Sequence, residues 1–316
     1  MKQFFSALSS LLLALAGCQK TPAEPPPGPA EWMPQPLPLT AEVKKLWIDV
    51  MRGTAADDIW LMANVSLQRF QERWVFHYDG TAWTNVTAQI PARARLSIYP
   101  ISKTDVWAVG AAGSAVHYDG KTWTPHHFAG LYVDLIDVYA RDGKVWAAAA
   151  GPELMHFDGS QWSKLTPPEL VGCSVFRLFG TAQQLLVLVN TKEAMKYMAR
   201  FRDGAWSKEP VGPGGLTLID GTSDQDIWAL SRQDQGYRYD GKTWTRFSTS
   251  QGVPLWALSV AGPDRAFAVG EKGLILRWDG HAWQRSESGS RAQLVSVYAP
   301  PTGPAWVGGD QLYRQN

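Results

Sequence analysis

The sequence predicts an all-β fold: a seven-bladed β-propeller of four-stranded antiparallel blades, its last blade closed by the N-terminal segment. Three observations predict it. An Asp-Gly-x-x-Trp segment begins at Asp79, Asp119, Asp158, Asp240 and Asp279, with a contracted copy at Asp203, and successive copies start 37 to 45 residues apart. Seven apolar strand centres accompany the repeat, at Trp60, Trp107, Trp146, Val187, Trp228, Phe267 and Trp306. The last unit stops one strand short at Asn316, while an unattached strand with a Trp, residues 31–35, stands before the first unit. A fixed period of this length is the mark of a repeat architecture.

Each strand of a blade can be read from residues 134–162. Residues 134–140 alternate as an innermost strand. Residues 144–149 are a short apolar second strand, 154–157 a third and 161–165 a fourth. Asp158-Gly159 is expected to be a two-residue type I′ hairpin turn, because both positions tolerate positive φ. Four short antiparallel strands per forty or so residues make a propeller blade. In the last unit, residues 294–299, 305–307 and 311–314 supply three strands, and residues 31–35 are expected to supply the fourth, with Trp32 in the part of Trp123. Closing the ring this way removes two exposed sheet edges. The 16 Trp and 29 Gly suit many short strands joined by tight turns.

Residues 1–17 read as an export signal: Lys2, a short apolar stretch, then Leu15-Ala16-Gly17-Cys18, which resembles the lipobox of bacterial lipoproteins. The resemblance implies cleavage before Cys18 and a lipid on its thiol. Gln19, rather than Asp, follows it, which implies the bacterial outer membrane. Residues 18–38 are a Pro-rich tether whose composition favours extended chain. The propeller is expected over residues 39–316. With Cys18 lipidated, Cys173 has no partner for a disulfide and is expected to be buried.

The repeat at residues 105–124 resembles bacterial propellers of the Asp-box or BNR-repeat group, and regulator-type propellers with a second strand like residues 226–230. That implies the fold and says little about function. The sialidase form Ser-x-Asp-x-Gly-x-x-Trp is not kept, since Asp and Gly are adjacent here. Arg93, Arg95, Arg177 and Arg291 do not assemble into a sialidase triad.

The repeated Asp and Trp residues are expected to build turns and core. His77, His117 and His156 each precede the Asp by two, but Arg238 and Arg277 take that place later, so no metal is expected, and no cofactor. Function is expected where the repeat breaks. Residues 63–73 and 190–200 read as long loops between second and third strands, and the connections 125–132 and 252–256 vary as well. They nominate a binding face of Phe70, Arg73, Phe128, Tyr132, Tyr197 and Trp256. Aligned inner strands place Asp49, Ser97, Asp137, Arg177, Leu218, Ser259 and Ser296 at one position; Asp49, Asp137 and Arg177 are the charged members of a candidate channel ring. The formal net charge of +1 gives no basis for nucleic-acid binding.

These features point to a membrane-anchored, monomeric binding module or scaffold of the cell envelope with a protein partner. A carbohydrate-binding or carbohydrate-active propeller and an outer-membrane assembly factor are the alternatives. No phosphate loop, nucleophile elbow or zinc spacing is present.

Overall fold

The structure is a computed structural model that describes residues 31–128, 132–191, 196–209, 215–232, 234–249 and 252–316. The export signal, Cys18 and the tether as far as residue 30 lie outside the described residues. Seven antiparallel sheets of four strands follow one another around a ring. Their innermost strands, blade 1 to blade 7, are Lys45–Ala55, Ser97–Ser102, Leu135–Arg141, Cys173–Gly180, Leu216–Ser223, Leu255–Gly262 and Ser296–Tyr298. In the seventh sheet, Trp32–Gln35 pairs antiparallel with Leu312–Gln315, register Trp32 to Gln315. The N-terminal strand thus closes the last blade, as the sequence predicts.

The repeated aromatics hold the blades together in one relay. In six of the seven blades the second-strand aromatic meets the outer-strand Trp of the next blade. Trp60 packs edge-on against Trp123, Trp107 against Trp162, Trp146 against Trp206 and Trp228 against Trp283, with ring centroids 5.9, 5.7, 6.5 and 5.8 Å apart. Trp306 of blade 7 meets Trp83 of blade 1 at 5.4 Å. Trp32 meets Phe267 of blade 6 at 6.0 Å, interplanar 88°, so it stands where Trp123 stands in blade 2. Its indole N–H donates to Ser286 Oγ at 2.6 Å, and Trp32 is 1% exposed. Each sheet buries an apolar face against each of its two neighbours, and edge-to-face contacts add to that burial.

The strand centre expected at Val187 in blade 4 shifts by one residue. Leu186, not Val187, lies opposite Arg200, at the position where Trp60 faces His77. The Asp-Gly turns also differ from expectation. Tyr78 pairs with Trp83 across four intervening residues, and Asp79 Oδ1 accepts the N–H groups of Thr81 and Ala82 at 2.8 and 2.9 Å. Gly80, at φ +96°, makes the reversal that an L-residue resists. Asp158 caps its turn the same way, and these backbone donors pull its carboxyl down to about 2. A two-residue turn with positive φ at both positions occurs at the contracted copy, Asp203-Gly204. An Asp side chain that satisfies two N–H groups stabilises a longer turn and removes the need for Asp itself to be left-handed.

The lengthened segments are strands. Asp58–Ser66 and Gln71–Tyr78 continue as a paired ladder to Ser66 and Gln71, so most of residues 63–73 is a β-hairpin that extends blade 1, not a loop. The hairpin of Gln184–Thr191 and Lys196–Arg202 extends blade 4 likewise.

Candidate binding channel and its mouth

Inner strands start with an irregularity that sets the geometry of the channel. The ladder skips a residue between Ile48 and Val50, Leu135 and Asp137, Val175 and Arg177, Leu216 and Leu218, and Leu255 and Ala257. In blades 2 and 7 the residue before the first pair, Leu96 or Val295, still donates its N–H into the ladder. A bulge turns one side chain out of the pleat and toward the rim. Leu96, Ile136, Phe176, Trp256 and Val295 are therefore half-buried around one mouth of the channel, an apolar collar beside a cavity of about 190 Å³.

The bulges also correct the ring aligned by sequence. Asp49 is the skipped residue of blade 1, and Ser259 lies two positions beyond Ala257. The residues that share a register are Val50, Ser97, Asp137, Arg177, Leu218, Ala257 and Ser296, and all seven line that cavity. Two residues further along each strand stand Arg52, Tyr99, Tyr139, Phe179, Asp220, Ser259 and Tyr298, which line a wider cavity of about 630 Å³ toward the opposite mouth. Small residues in the next blade make room for the aromatics: a methyl at Gly180 would collide with the Tyr139 ring, and one at Gly53 with Tyr298.

Polar side chains of these two layers join the blades. Asp137 is 2% exposed; its carboxylate accepts Ser97 Oγ of blade 2 at 3.0 Å and the Leu178 N–H of blade 4 at 2.9 Å. Asp220 accepts the Val260 N–H of blade 6 at 2.7 Å, and Ser259 accepts the Ala299 N–H of blade 7 at 3.0 Å. Burial raises the Asp220 carboxyl to about 6, against the pull of Arg52, two backbone N–H groups and Arg177. Burial likewise pushes the Tyr139 phenol to about 12 and the Tyr99 and Tyr298 phenols upward. Desolvation lowers the Arg177 pKa, with Asp137 working the other way.

The nominated face residues fall into different settings. Arg73 is bound to Asp49, so one member of the predicted face and one of the predicted ring form a single ion pair. Phe128 packs edge-on against Trp162 at 4.5 Å. The Tyr197 hydroxyl lies 3.1 Å from Cys173 Sγ and donates to the Glu169 carbonyl. Trp256 belongs to the collar, with the Arg232 guanidinium 3.9 Å above its ring. Phe70, at the tip of the blade 1 hairpin, and Tyr132, between blades 2 and 3, stand in solvent at 60% and 86% exposure. Second-to-third-strand turns and connections into inner strands both lie at the end where the inner strands begin, so Phe70 and Tyr132 share the face of the collar.

The histidines that precede the Asp-Gly turns have a structural task. His77 stacks on Trp60 at 4.2 Å, and its Nε2 lies 2.8 Å from Asp58, which also accepts the Trp60 indole N–H. Burial works to raise the Asp58 carboxyl, but hydrogen bonds from His77, Thr54 and Trp60 hold it below the ordinary value. In blade 5 Arg238 takes the same place beside Asp226 and Trp228. Sequence reading found the position and not the triad, because the Asp lies on the neighbouring strand. The repeated Trp residues are likewise core and carry no case for sugar stacking.

No family model matches the chain. A segment of 107 residues is 28% identical to the photosystem II assembly protein Ycf48 of Synechococcus sp. (strain JA-3-3Ab), spanning 30% of this chain and 30% of that protein. Among solved structures, YCF48 bound to D1 peptide superposes with a TM-score of 0.67 at 17% identity, covering 92% of this chain and 98% of that one. YCF48 from Cyanidioschyzon merolae gives 0.66 at 13% over 91% and 99%, and the WD40 propeller domain of Doa1 gives 0.64 at 13% over 86% and 93%. The chain is thus similar in fold to YCF48 and WD40 propellers, and for a short stretch similar in sequence to Ycf48.

Proposed function

We propose that this chain is a protein-binding propeller of the bacterial cell envelope, held to the outer membrane through a lipid on Cys18. Its partner lies against the face that carries the bulge collar. The observation that carries this reading is the collar itself: five half-buried apolar side chains ring a channel mouth, with Phe70 and Tyr132 exposed on the same face. Aromatic and apolar side chains around a concavity suit a protein partner. A YCF48 structure, similar in fold, holds a peptide, which supports a peptide or protein ligand in general.

Photo-crosslinking in intact envelopes tests the reading. A crosslinkable residue at Phe70 or Tyr132 is expected to trap a discrete partner, and one at Lys121, on the Asp-Gly turn face, is not. Identical products from both faces, or none from either, overturn it. Cys18→Ser is expected to release the chain from the membrane fraction without changing its fold; continued membrane retention overturns the anchor.

A further inference from the structure

The channel holds two cations that nothing else in the described protein satisfies. Arg52 lines both cavities, and Arg177 lines the one at the collar. Arg177 is half-buried and lines the cavity at the collar. Among the described residues neither guanidinium makes a hydrogen bond or a short ion pair; their attraction to Asp137 and Asp220 acts at longer range. Each guanidinium carries five N–H donors.

The nearby carboxylates are occupied by other donors. Asp137 accepts Ser97 and the Leu178 N–H, Asp220 accepts the Val260 N–H, and Asp49 is bound by Arg73 and Asn64. The waist of the channel therefore carries two fork-shaped donors that the bonded carboxylates do not take up. Such a fork fits the paired oxygens of a carboxylate or phosphate. Enclosure strengthens the attraction relative to bulk water. The cavity of about 190 Å³ beside Arg177 has room for one small oxyanion or a handful of water molecules.

We propose that Arg52 and Arg177 form an oxyanion site inside the channel, taking a free small carboxylate or phosphate. Its ligand enters from solvent and is distinct from the partner on the outer face, so the two readings fail separately.

Thermal melts and calorimetry of the mature chain test it, with inorganic phosphate and succinate as probes at matched ionic strength. Either anion at about 10 mM is expected to raise the melting temperature above the sodium chloride control. Arg177→Gln and Arg52→Gln are each expected to weaken binding by roughly tenfold or more. Arg177→Lys, which keeps the charge and loses the fork, is expected to fall between. Arg141→Gln, at the far rim and paired to Asp142, is expected to leave binding unchanged. An equal shift in chloride, binding that survives in the Arg52→Gln/Arg177→Gln double variant, or binding of a carboxylate-ended peptide with no response to either free anion overturns the proposal.

Discussion

The Arg73 guanidinium takes both oxygens of Asp49, at 2.8 and 2.9 Å, and Asn64 joins the same carboxylate at 3.0 Å. The three residues come from three strands of blade 1. The bulge that turns Asp49 out of its ladder is what aims it at Arg73, whose hairpin rises beside it. A bidentate pair of this kind fixes the angle of the hairpin and with it the placement of Phe70.

Arg73→Gln and Asp49→Asn are each expected to lower unfolding free energy by about 1–2 kcal/mol, since both partners are mostly covered. In a double-mutant cycle by urea denaturation, the two losses are expected to fall short of additive by about 1 kcal/mol. Full additivity would show that the pair does not couple.

Asp137→Ala strips the acceptor from Ser97 and from the Leu178 N–H, both in the interior. The expected loss is about 2–3 kcal/mol, because a buried donor left unpaired costs more than the bond it made. Ser97→Ala, which leaves the Leu178 bond intact, is expected to cost about 1 kcal/mol. Equal losses from the two variants would mean that the link to blade 4 contributes nothing.

Trp32→Ala removes a wholly buried indole and its bond to Ser286, at an expected cost of about 3–5 kcal/mol. Deleting residues 1–35 leaves Leu312–Gln315 as an unpaired edge, and such an edge recruits other chains. Light scattering is expected to find oligomers of that variant. A monomer with the parent melting temperature would contradict ring closure by the N-terminal strand.

Asp220 faces Arg52 and Arg177 across the channel, with Tyr99 and Tyr298 close by. Its folded pKa, about 6, lies well above the ordinary carboxylate range. The folded state therefore holds this proton more tightly, and the contribution it makes below pH 4 is lost as pH rises toward 6. The Asp220→Asn variant lacks that loss. Relative to it, the parent is expected to lose on the order of 3 kcal/mol between pH 4 and pH 7. Parallel stability curves for the two proteins across that range would refute the assignment.

The architecture is written in the order of the residues. Alternation, turn residues and a Trp repeat are local signals, and a blade is mostly local pairing, so four strands per period, seven periods and the missing fourth strand were all legible. Trp32 was assigned its place because the period allowed no other. What only the tertiary structure decided is the register of the inner strands, and with it the channel. A bulge moves every later side chain by one position without leaving a mark in residue spacing, so Asp49 reads as a ring member in place of Val50. The collar residues Ile136 and Phe176 look like ordinary strand residues until the ladder skips them. Partners held across strands or blades, such as Asp49 with Arg73 within blade 1 and Asp137 with Leu178 between blades 3 and 4, lie 24 and 41 residues apart. Their meeting is fixed by the register of the bulged strands and by packing between blades, which no local pattern encodes.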